Sequence, residues 1–445
     1  MSIFKAYDIR GIYPTELDDR MAFRVGAAFG TRYPGTIAVG CDTRLSGPQL
    51  KAEFIAGLCS TGVDAVDLGI VTTPVLVFAV QHLGCDGGVN VTASHNPKEY
   101  NGFKLFDGTA LPISYESGIE RVQRIAERGN FQQGHGVASV VAITEPYITF
   151  ISGQVQLSAP LQVVIDGSNG AASLYAPEAC RRVGLRVHEL NCTPDGTFPG
   201  HEPDPSKPAN VLDAERSVRE TGADLGFVFD GDGDRVTVID ETGTAIESRR
   251  IFSLLARHVL EANPGAKIVH DALMSQMAIE TIERYGGQAI PCRVGHTYIA
   301  QKMRDESAAL AGELSGHYYF KETFFADDAI RASLTVAEIV AAAGRGVAEL
   351  VREFPDYHTE NVRVGVTDSE KFAFIARLQE DLAREGYALD TLDGVKVLFE
   401  TGWALFRASN TEPKISIAYE SKDAHEFNRI RDFVHSVIER VPQGY

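Results

Sequence analysis

Asp230, Asp232 and Asp234 alternate with glycine in Asp230-Gly231-Asp232-Gly233-Asp234-Arg235, directly after the apolar run Phe227-Val228-Phe229. Carboxylates this close repel one another, and a divalent cation is the usual means of holding them together. An EF-hand loop competes for the pattern, because Glu241 falls at position twelve counted from Asp230. Position six of such a loop needs glycine for its sharp turn and here is Arg235, and the flanks alternate like strands where an EF-hand has helices. A strand-turn-strand loop presenting carboxylates to Mg²⁺ fits better; a metal-free Asp-Gly hairpin turn is the plain alternative. A cation at Arg235 beside such a cluster can neutralise an arriving phosphoryl group, which points to phosphoryl transfer.

Three further clusters could join that chemistry. Thr92-Ala93-Ser94-His95-Asn96-Pro97 sets a serine beside a histidine after the strand-like Gly88-Val89-Asn90-Val91. Neighbours on a strand point to opposite faces and on a loop need not meet, so the pair alone does not make a hydrolase. Arg407, Ser409, Asn410 and Thr411 bring a fixed cation and several donors into one turn, enough to cradle a phosphate. An Asn-Thr turn closed by Pro413 is the other reading. Glu313, Ser315 and His317 are spaced by two, so they share a face if extended and can converge on a polyol if looped; an ordinary turn would serve as well.

The elements that must carry these residues are legible as a rhythm. Three β-branched runs close on an aspartate and a small or polar turn, at 36–42, 161–166 and 266–271, ending on Asp42, Asp166 and Asp271. Helix-like segments follow, the best at 50–59 and 275–287, with apolar residues every three or four positions. The reading is α/β, with three strand-loop-helix domains of similar build. After Phe354 the texture changes to strand-like 361–367, helix-like 371–386, strand-like 394–410 and 415–421, and a helix from Ala424 to Val441. That is a smaller unit in which strands and helices alternate. The expected domains are 1–141, 142–244, 245–356 and 357–445.

Composition narrows the partners. The 445 residues carry 42 Lys+Arg against 60 Asp+Glu, a net charge of -18, which disfavours nucleic acid, whose binding needs clustered Lys and Arg. An anionic small substrate would need basic residues gathered locally. Hydrophobic residues at 44% and charged residues at 23% describe a folded chain, not a disordered one. Cys41, Cys59, Cys85, Cys180, Cys192 and Cys292 form no CxxC pair and no structural-zinc spacing, so they read as reduced thiols. The start lacks the long apolar segment of a secretory signal, and no window is apolar enough for a membrane span. A cytoplasmic protein with no membrane partner is expected, and nothing in the pattern sets an oligomeric state.

In this order along the chain, Thr92–Pro97, Asp230–Arg235, Glu313–His317 and Arg407–Pro413 together resemble the α-D-phosphohexomutase superfamily, in its bacterial phosphomannomutase/phosphoglucomutase branch. The resemblance runs from Ala6-Tyr7-Asp8-Ile9-Arg10-Gly11 to the last turn. It implies four domains around a central cleft: three similar mixed α/β domains and a smaller, more mobile C-terminal α+β domain. It implies that Ser94 carries the phosphoryl group, and that Asp230, Asp232 and Asp234 hold Mg²⁺ together with an oxygen on Ser94. Arg10, Lys104 and Arg235 match basic residues grouped around the phosphoserine, and His95 matches its neighbour. Glu313 and Ser315 match the pair that grips sugar hydroxyls, and His317 a histidine of the same loop. Tyr7 and His296 fall on the substrate side, with a core role for His296 equally compatible. Arg407, Ser409, Asn410 and Thr411 match the group that holds the non-transferring phosphate.

The implied reaction moves phosphate between O1 and O6 of a phosphorylated hexose, with hexose 1,6-bisphosphate as activator and intermediate. His317, His95 or a lysine could serve as acid and base. Two positions depart from the family pattern: Cys41 stands where arginine is usual, and Leu273 where arginine or lysine is common, which could alter a sugar or phosphate contact. Phosphoglucosamine mutases usually read Glu-Gln-Ser-Gly where this chain has Glu313-Leu314-Ser315-Gly316, so glucose or mannose phosphates are preferred. A Mg²⁺-dependent phosphohydrolase and a non-catalytic sugar-phosphate sensor are the alternatives outside the superfamily's activity.

Overall fold

Four sheets follow one another along the chain in the computed structural model, which describes residues 3–409 and 413–441. The first joins β1 (Ile9–Ile12), β2 (Thr36–Cys41), β3 (Asp64–Ile70), β4 (Gly87–Val91), β5 (Tyr100–Asp107) and β6 (Ala138–Val140) in the order β1-β5-β4-β2-β3-β6. The second, β7 (Gln162–Asp166), β8 (Arg186–Leu190), β9 (Leu225–Phe229) and β10 (Val236–Ile239), runs β10-β9-β7-β8. The third is β12-β11-β13-β14-β15, made of β11 (Lys267–Asp271), β12 (Gln288–Cys292), β13 (Leu310–Gly312), β14 (Tyr318–Phe320) and β15 (Ala326–Asp327). In each, the strand closing on Asp42, Asp166 or Asp271 is central and pairs in parallel with both neighbours. Antiparallel pairs complete each sheet, two in the first, one in the second and two in the third, so all three are mixed. The rhythm in the sequence therefore marks the middle strand of each unit.

These central strands are apolar along their length because helices cover both faces. The largest buried cluster runs through all three units, joining Val75 and Phe78 to Tyr147 and Tyr175 and on to Phe252 and Ile330. The first sheet has a separate core on its other face, around Phe29, Phe54 and Phe103. Helix Thr73–Leu83 lies within the shared core and is capped by Thr72, whose side chain accepts from Val75 N at 3.2 Å. Its first turn then touches the second unit, with Thr73 N donating to Asp232 O at 2.8 Å.

The fourth sheet, β16-β20-β19-β18-β17, is antiparallel throughout and comprises β16 (His358–Gly365), β17 (Leu389–Asp390), β18 (Val395–Leu398), β19 (Gly402–Ala408) and β20 (Lys414–Ser421). The expected alternation of strands and helices gives way here to four consecutive strands, because each pairs with its sequence neighbour before the closing helix Ala424–Ile438. Period-two alternation divides β19: Ala404 and Phe406 face the unit's own core with Leu382 and Ile430, while Trp403 and Leu405 meet Ala272, Leu273 and Val294 of the third unit. Among the described residues, no helix is long and apolar enough to cross a membrane, and all six cysteines are free thiols.

Candidate active site

The serine loop connects β4 to β5, whose antiparallel pairing brings its two ends together. Ser94 is buried and has φ 52°, a left-handed conformation that an L-residue adopts only when its surroundings hold it there. Thr92 Oγ1 accepts from Ser94 N at 2.8 Å and donates to the buried Asp42 at 2.6 Å. Arg44, also buried, donates to Ser94 O at 2.8 Å. The left-handed turn breaks the strand alternation, so the two neighbours do meet: Ser94 Oγ lies 3.2 Å from His95 Nδ1. Ser94 Oγ also donates to Asp230 Oδ2 at 2.9 Å, across to the second unit.

The acidic loop is a strand-turn-strand, as its flanks predict, with Phe229 paired to Val236 across the β9–β10 hairpin. Asp230, Asp232 and Asp234 are buried, with ligand oxygens all within 4.8 Å of one another. Asp230 Oδ1 accepts from Asp234 N at 3.1 Å and Arg235 N at 3.2 Å, which winds the turn around one carboxylate. Gly231 is required by packing: a Cβ there would stand 2.6 Å from Ser94 O. Lys104, from β5, reaches Asp232 Oδ2 at 2.7 Å and also pairs with Asp234. Thr73 donates to the same Asp232 oxygen at 2.6 Å and receives Asn90 Nδ2 at 2.9 Å, whereas Asp232 Oδ1 accepts no hydrogen bond among the described residues. Three buried carboxylates whose ligand oxygens crowd one turn, with an Asp232 oxygen left without a partner among the described residues, fit a divalent cation.

The titration directions follow from this crowding. Burial and the charges of Asp234 and Asp232 push the Asp230 carboxyl well above the usual range. Burial would raise Asp234 too, but Lys104 and His317 outweigh it and hold that carboxyl well below. Burial would depress Lys104, and Asp232 and Asp234 overcome that to raise it.

The third unit contributes the β13–β14 hairpin, which carries Glu313, Ser315 and His317 on its turn. The looped alternative holds, and the side chains converge: Ser315 Oγ is 2.8 Å from His317 Nδ1, and Glu313 Oε1 is 3.6 Å from the same nitrogen. Arg235 and His317 form an antiparallel bridge between units, with Arg235 Nε 3.2 Å from His317 Nε2. Asp234 Oδ1 and Asp327 Oδ2 approach that ring nitrogen at 3.3 and 3.6 Å. Burial and Arg235 depress the imidazole, and Asp234 with Glu313 outweighs them, so His317 is raised.

Arg10, on β1, donates to Asn96 Oδ1 at 2.7 Å and pairs with Asp8, so it borders the serine loop. Tyr7 donates to Val294 O at 2.9 Å and sets its ring edge-on to His296, centroids 5.8 Å apart. Gly295 has φ 132°, and a Cβ there would lie 2.6 Å from the Tyr7 ring, so glycine alone lets these segments approach. His296 is depressed well below its ordinary value by burial and by Lys104, and its Nε2 has no hydrogen-bond partner among the described residues.

In the fourth unit Arg407 Nε donates to Asp393 Oδ2 at 3.1 Å, and the same oxygen accepts Val294 N at 3.0 Å. Arg407 is thus tied to the segment that Tyr7 holds. Ser409 is buried just beyond β19, whereas Asn410 and Thr411 lie outside the described residues. The two departures have structural explanations. Cys41 is buried in the first unit's core, where burial pushes its thiol up to about 12. Leu273 packs with the cluster around Trp403, so an apolar interdomain contact occupies the place where a cation was expected.

Several residues of the site escape a reading of the sequence. Thr73 reads as an ordinary first-turn residue behind a Thr72 cap, yet it reaches Asp232, 159 positions away. Asp327, Asp393 and Arg44 belong to no local cluster; only the recurrence of a strand-end aspartate at Asp42 hinted that the neighbourhood of Arg44 mattered.

Four successive units, with a buried serine set against an acidic triad between the first two and a hydroxyl-and-carboxylate loop from the third, define an α/β phosphoryl-transfer architecture. The models for phosphoglucomutase/phosphomannomutase alpha/beta/alpha domains I, II and III match residues 1–133, 145–243 and 247–357, and the model for the C-terminal domain matches 362–436. The chain belongs to the phosphoglucomutase/phosphomannomutase family. It is 39% identical over 450 residues to a phosphomannomutase/phosphoglucomutase of Pseudomonas putida, covering 99% of this chain and 96% of that one. It is 37% identical over 434 residues to a phosphomannomutase of Escherichia coli, covering 95% of each. A phosphoglucomutase/phosphomannomutase family protein of Burkholderia thailandensis has a similar solved structure, with TM-score 0.92 and 33% identity over 98% of this chain and 97% of that one.

Proposed function

We propose that the protein is a phosphohexomutase that interconverts the 1- and 6-phosphates of glucose and mannose through phosphorylated Ser94 and a hexose 1,6-bisphosphate. The observation that carries this reading is Ser94 Oγ at 2.9 Å from Asp230, with Lys104 bridging Asp232 and Asp234 beside it. In the forward half, the bond from phosphorus to Ser94 Oγ breaks as the bond to the sugar hydroxyl oxygen forms, and the hydroxyl proton leaves to a base. After the bisphosphate turns around, its other phosphate returns to Ser94 and the first stays on the sugar. Asp230, Asp232 and Asp234 would hold Mg²⁺, which when bound supplies charge stabilisation at the phosphoryl group.

Phosphoryl transfer is served by positioning and charge, and the reading gives each residue such a task. Arg10, Lys104 and Arg235 offset phosphate charge near Ser94, with His95 and His317 as candidate proton carriers. Glu313 and Ser315 take sugar hydroxyls, Tyr7 and His296 border the substrate, and Arg407 with Ser409, Asn410 and Thr411 holds the distant phosphate. The four units are taken as 1–141, 142–244, 245–356 and 357–445. A sugar-phosphate substrate and six free thiols suit a cytoplasmic setting.

Turnover of mannose, glucose and glucosamine 1-phosphates, followed side by side with free phosphate, tests the reading. Comparable kcat/KM for mannose and glucose, a poor value for glucosamine and no matching phosphate release are expected. The first two sugars differ only at C2, whereas a C2 amine needs an acceptor built for it. A preference for glucosamine 1-phosphate would move the protein to the rival branch, and phosphate released at the rate of sugar turnover would make it a hydrolase.

A further inference from the structure

Arg44 has no exposed surface, yet every one of its N–H groups has an acceptor. Nε donates to Asp42 Oδ2 at 3.1 Å, Nη1 to the carbonyls of Pro97 at 2.6 Å and Tyr100 at 3.0 Å, and Nη2 to those of Ser94 at 2.8 Å and Asn96 at 2.6 Å. Four carbonyls of the segment 94–100 therefore converge on one guanidinium. Only arginine offers five donors in a rigid planar fork with a permanent charge, so no other side chain could gather them. The second unit closes over the group: Phe198 lies under the guanidinium at 5.4 Å, and Gly196 comes so close to the Thr43 carbonyl that a Cβ there would stand 2.3 Å away.

With all its donors committed to Asp42 and the loop backbone, Arg44 has none left for a substrate phosphate. We propose that Arg44 is a positioning residue, a template that curls the serine loop and thereby sets where Ser94 Oγ stands relative to Asp230. The proposal rests on the reading in which Ser94 carries the phosphoryl group. The left-handed backbone at Ser94 is unfavourable by itself, and the carbonyls of Ser94 and of Asn96, Pro97 and Tyr100 after it stay in place because they share one partner. The Asp42 carboxylate neutralises that partner and, through Thr92 Oγ1, also fixes the Ser94 amide, so donor and acceptor groups of the same residue are held from one buried pair. In-line transfer needs Ser94 Oγ within a narrow range of the sugar hydroxyl, and a displacement of about 1 Å costs about 100-fold in rate.

The test compares the parent protein with Arg44→Lys, which keeps the charge but offers three donors from one point. Rapid mixing with glucose 1,6-bisphosphate and intact-mass readout give the rate and final extent of Ser94 phosphorylation; kcat and KM for glucose 1-phosphate and amide exchange complete the set. The expected result is a fall of about 100-fold in the phosphorylation rate and in kcat per phosphorylatable molecule, with KM little changed and faster exchange confined to 94–100. Parent-like kcat per phosphorylatable molecule, or a loss carried entirely by KM, overturns the proposal. If Arg44→Lys does not fold, Thr92→Val decides: it removes the hydroxyl between Asp42 and the Ser94 amide and should slow phosphorylation about tenfold, the worth of about one hydrogen bond. A parent-like rate in that variant would count against the template. Should the parent itself take no phosphate on Ser94, the functional reading falls and the Arg44 proposal with it; a phosphorylated parent with an equally fast Arg44→Lys variant sinks the Arg44 proposal alone.

Discussion

Replacing Lys104 by methionine keeps the aliphatic stem and deletes the ammonium that bridges Asp232 and Asp234. Both aspartates are essentially inaccessible, and Lys104 is itself buried, so water cannot substitute for the lost partner. Removing one side of such a buried pair costs about 3–5 kcal/mol. At about 2–4 °C per kcal/mol for a domain of this size, the first two units should melt about 6–20 °C lower than the parent in chelator. Saturating Mg²⁺ should close much of that gap. A triad without an ammonium attracts a cation more strongly than one already neutralised, and at saturating Mg²⁺ a Kd about 100-fold lower in the variant returns about 2.7 kcal/mol more to it than to the parent. Calorimetry of parent and Lys104→Met, each with EDTA and with MgCl₂, measures the two gaps. Equal gaps in the two conditions would show that Lys104 and the cation do not answer to the same three carboxylates, and the reading of the triad as the metal site would fail.

Arg407→Ala should raise KM for hexose 1-phosphates by about 10- to 150-fold, the equivalent of about 1.5–3 kcal/mol for a charge-assisted contact, while mass spectrometry still finds Ser94 phosphorylated; an unchanged KM removes Arg407 from the site. Asp328 is pushed up to about 6 by burial although Arg331 N and Tyr147 bond to it, so its neutral form is favoured in the folded state. The sign is that of a raised acid: a penalty of about 3 kcal/mol above pH 6 that fades as pH falls toward the unfolded value. Asp328→Asn, neutral throughout, should therefore compare best with the parent at about pH 7 and lose that advantage progressively between about pH 6 and about pH 4, and parallel pH–Tm curves would contradict this. Trp403 is the single tryptophan and packs against Leu273 between the third and fourth units, with the Lys396 ammonium 3.9 Å from its ring centroid. Leu273→Lys adds a second cation to that apolar seam, so Trp403 emission should shift to the red before any global unfolding; unaltered emission would mean that Leu273 does not seat the fourth unit.

Chemistry that depends on neighbours along the chain is legible in the amino-acid sequence alone. Asp230, Asp232 and Asp234 sit on one turn, their flanks alternate as strands do, and Arg235 excludes an EF-hand because position six must be glycine. The apolar runs ending at Asp42, Asp166 and Asp271 mark central strands because a strand covered on both faces must be apolar along its length. The order of the four motifs is enough to place the chain in its family.

What the tertiary structure decided is which distant groups share a space. Ser94 and His95 meet because a left-handed turn, held by Arg44 and Thr92, overrides the opposite-face rule for neighbours. The role of Arg44 could not be recognised from its own surroundings, since four of its five acceptors are main-chain carbonyls some fifty positions away and every residue type has a carbonyl. Thr73 at Asp232 and Asp393 between Arg407 and Val294 are likewise pairings across units, set by how sheets pack and not by local pattern. The same holds for the two departures. Cys41 and Leu273 looked like missing cations in sequence, but each faces apolar neighbours brought up from elsewhere in the chain, and burial among those neighbours determines what the side chain does.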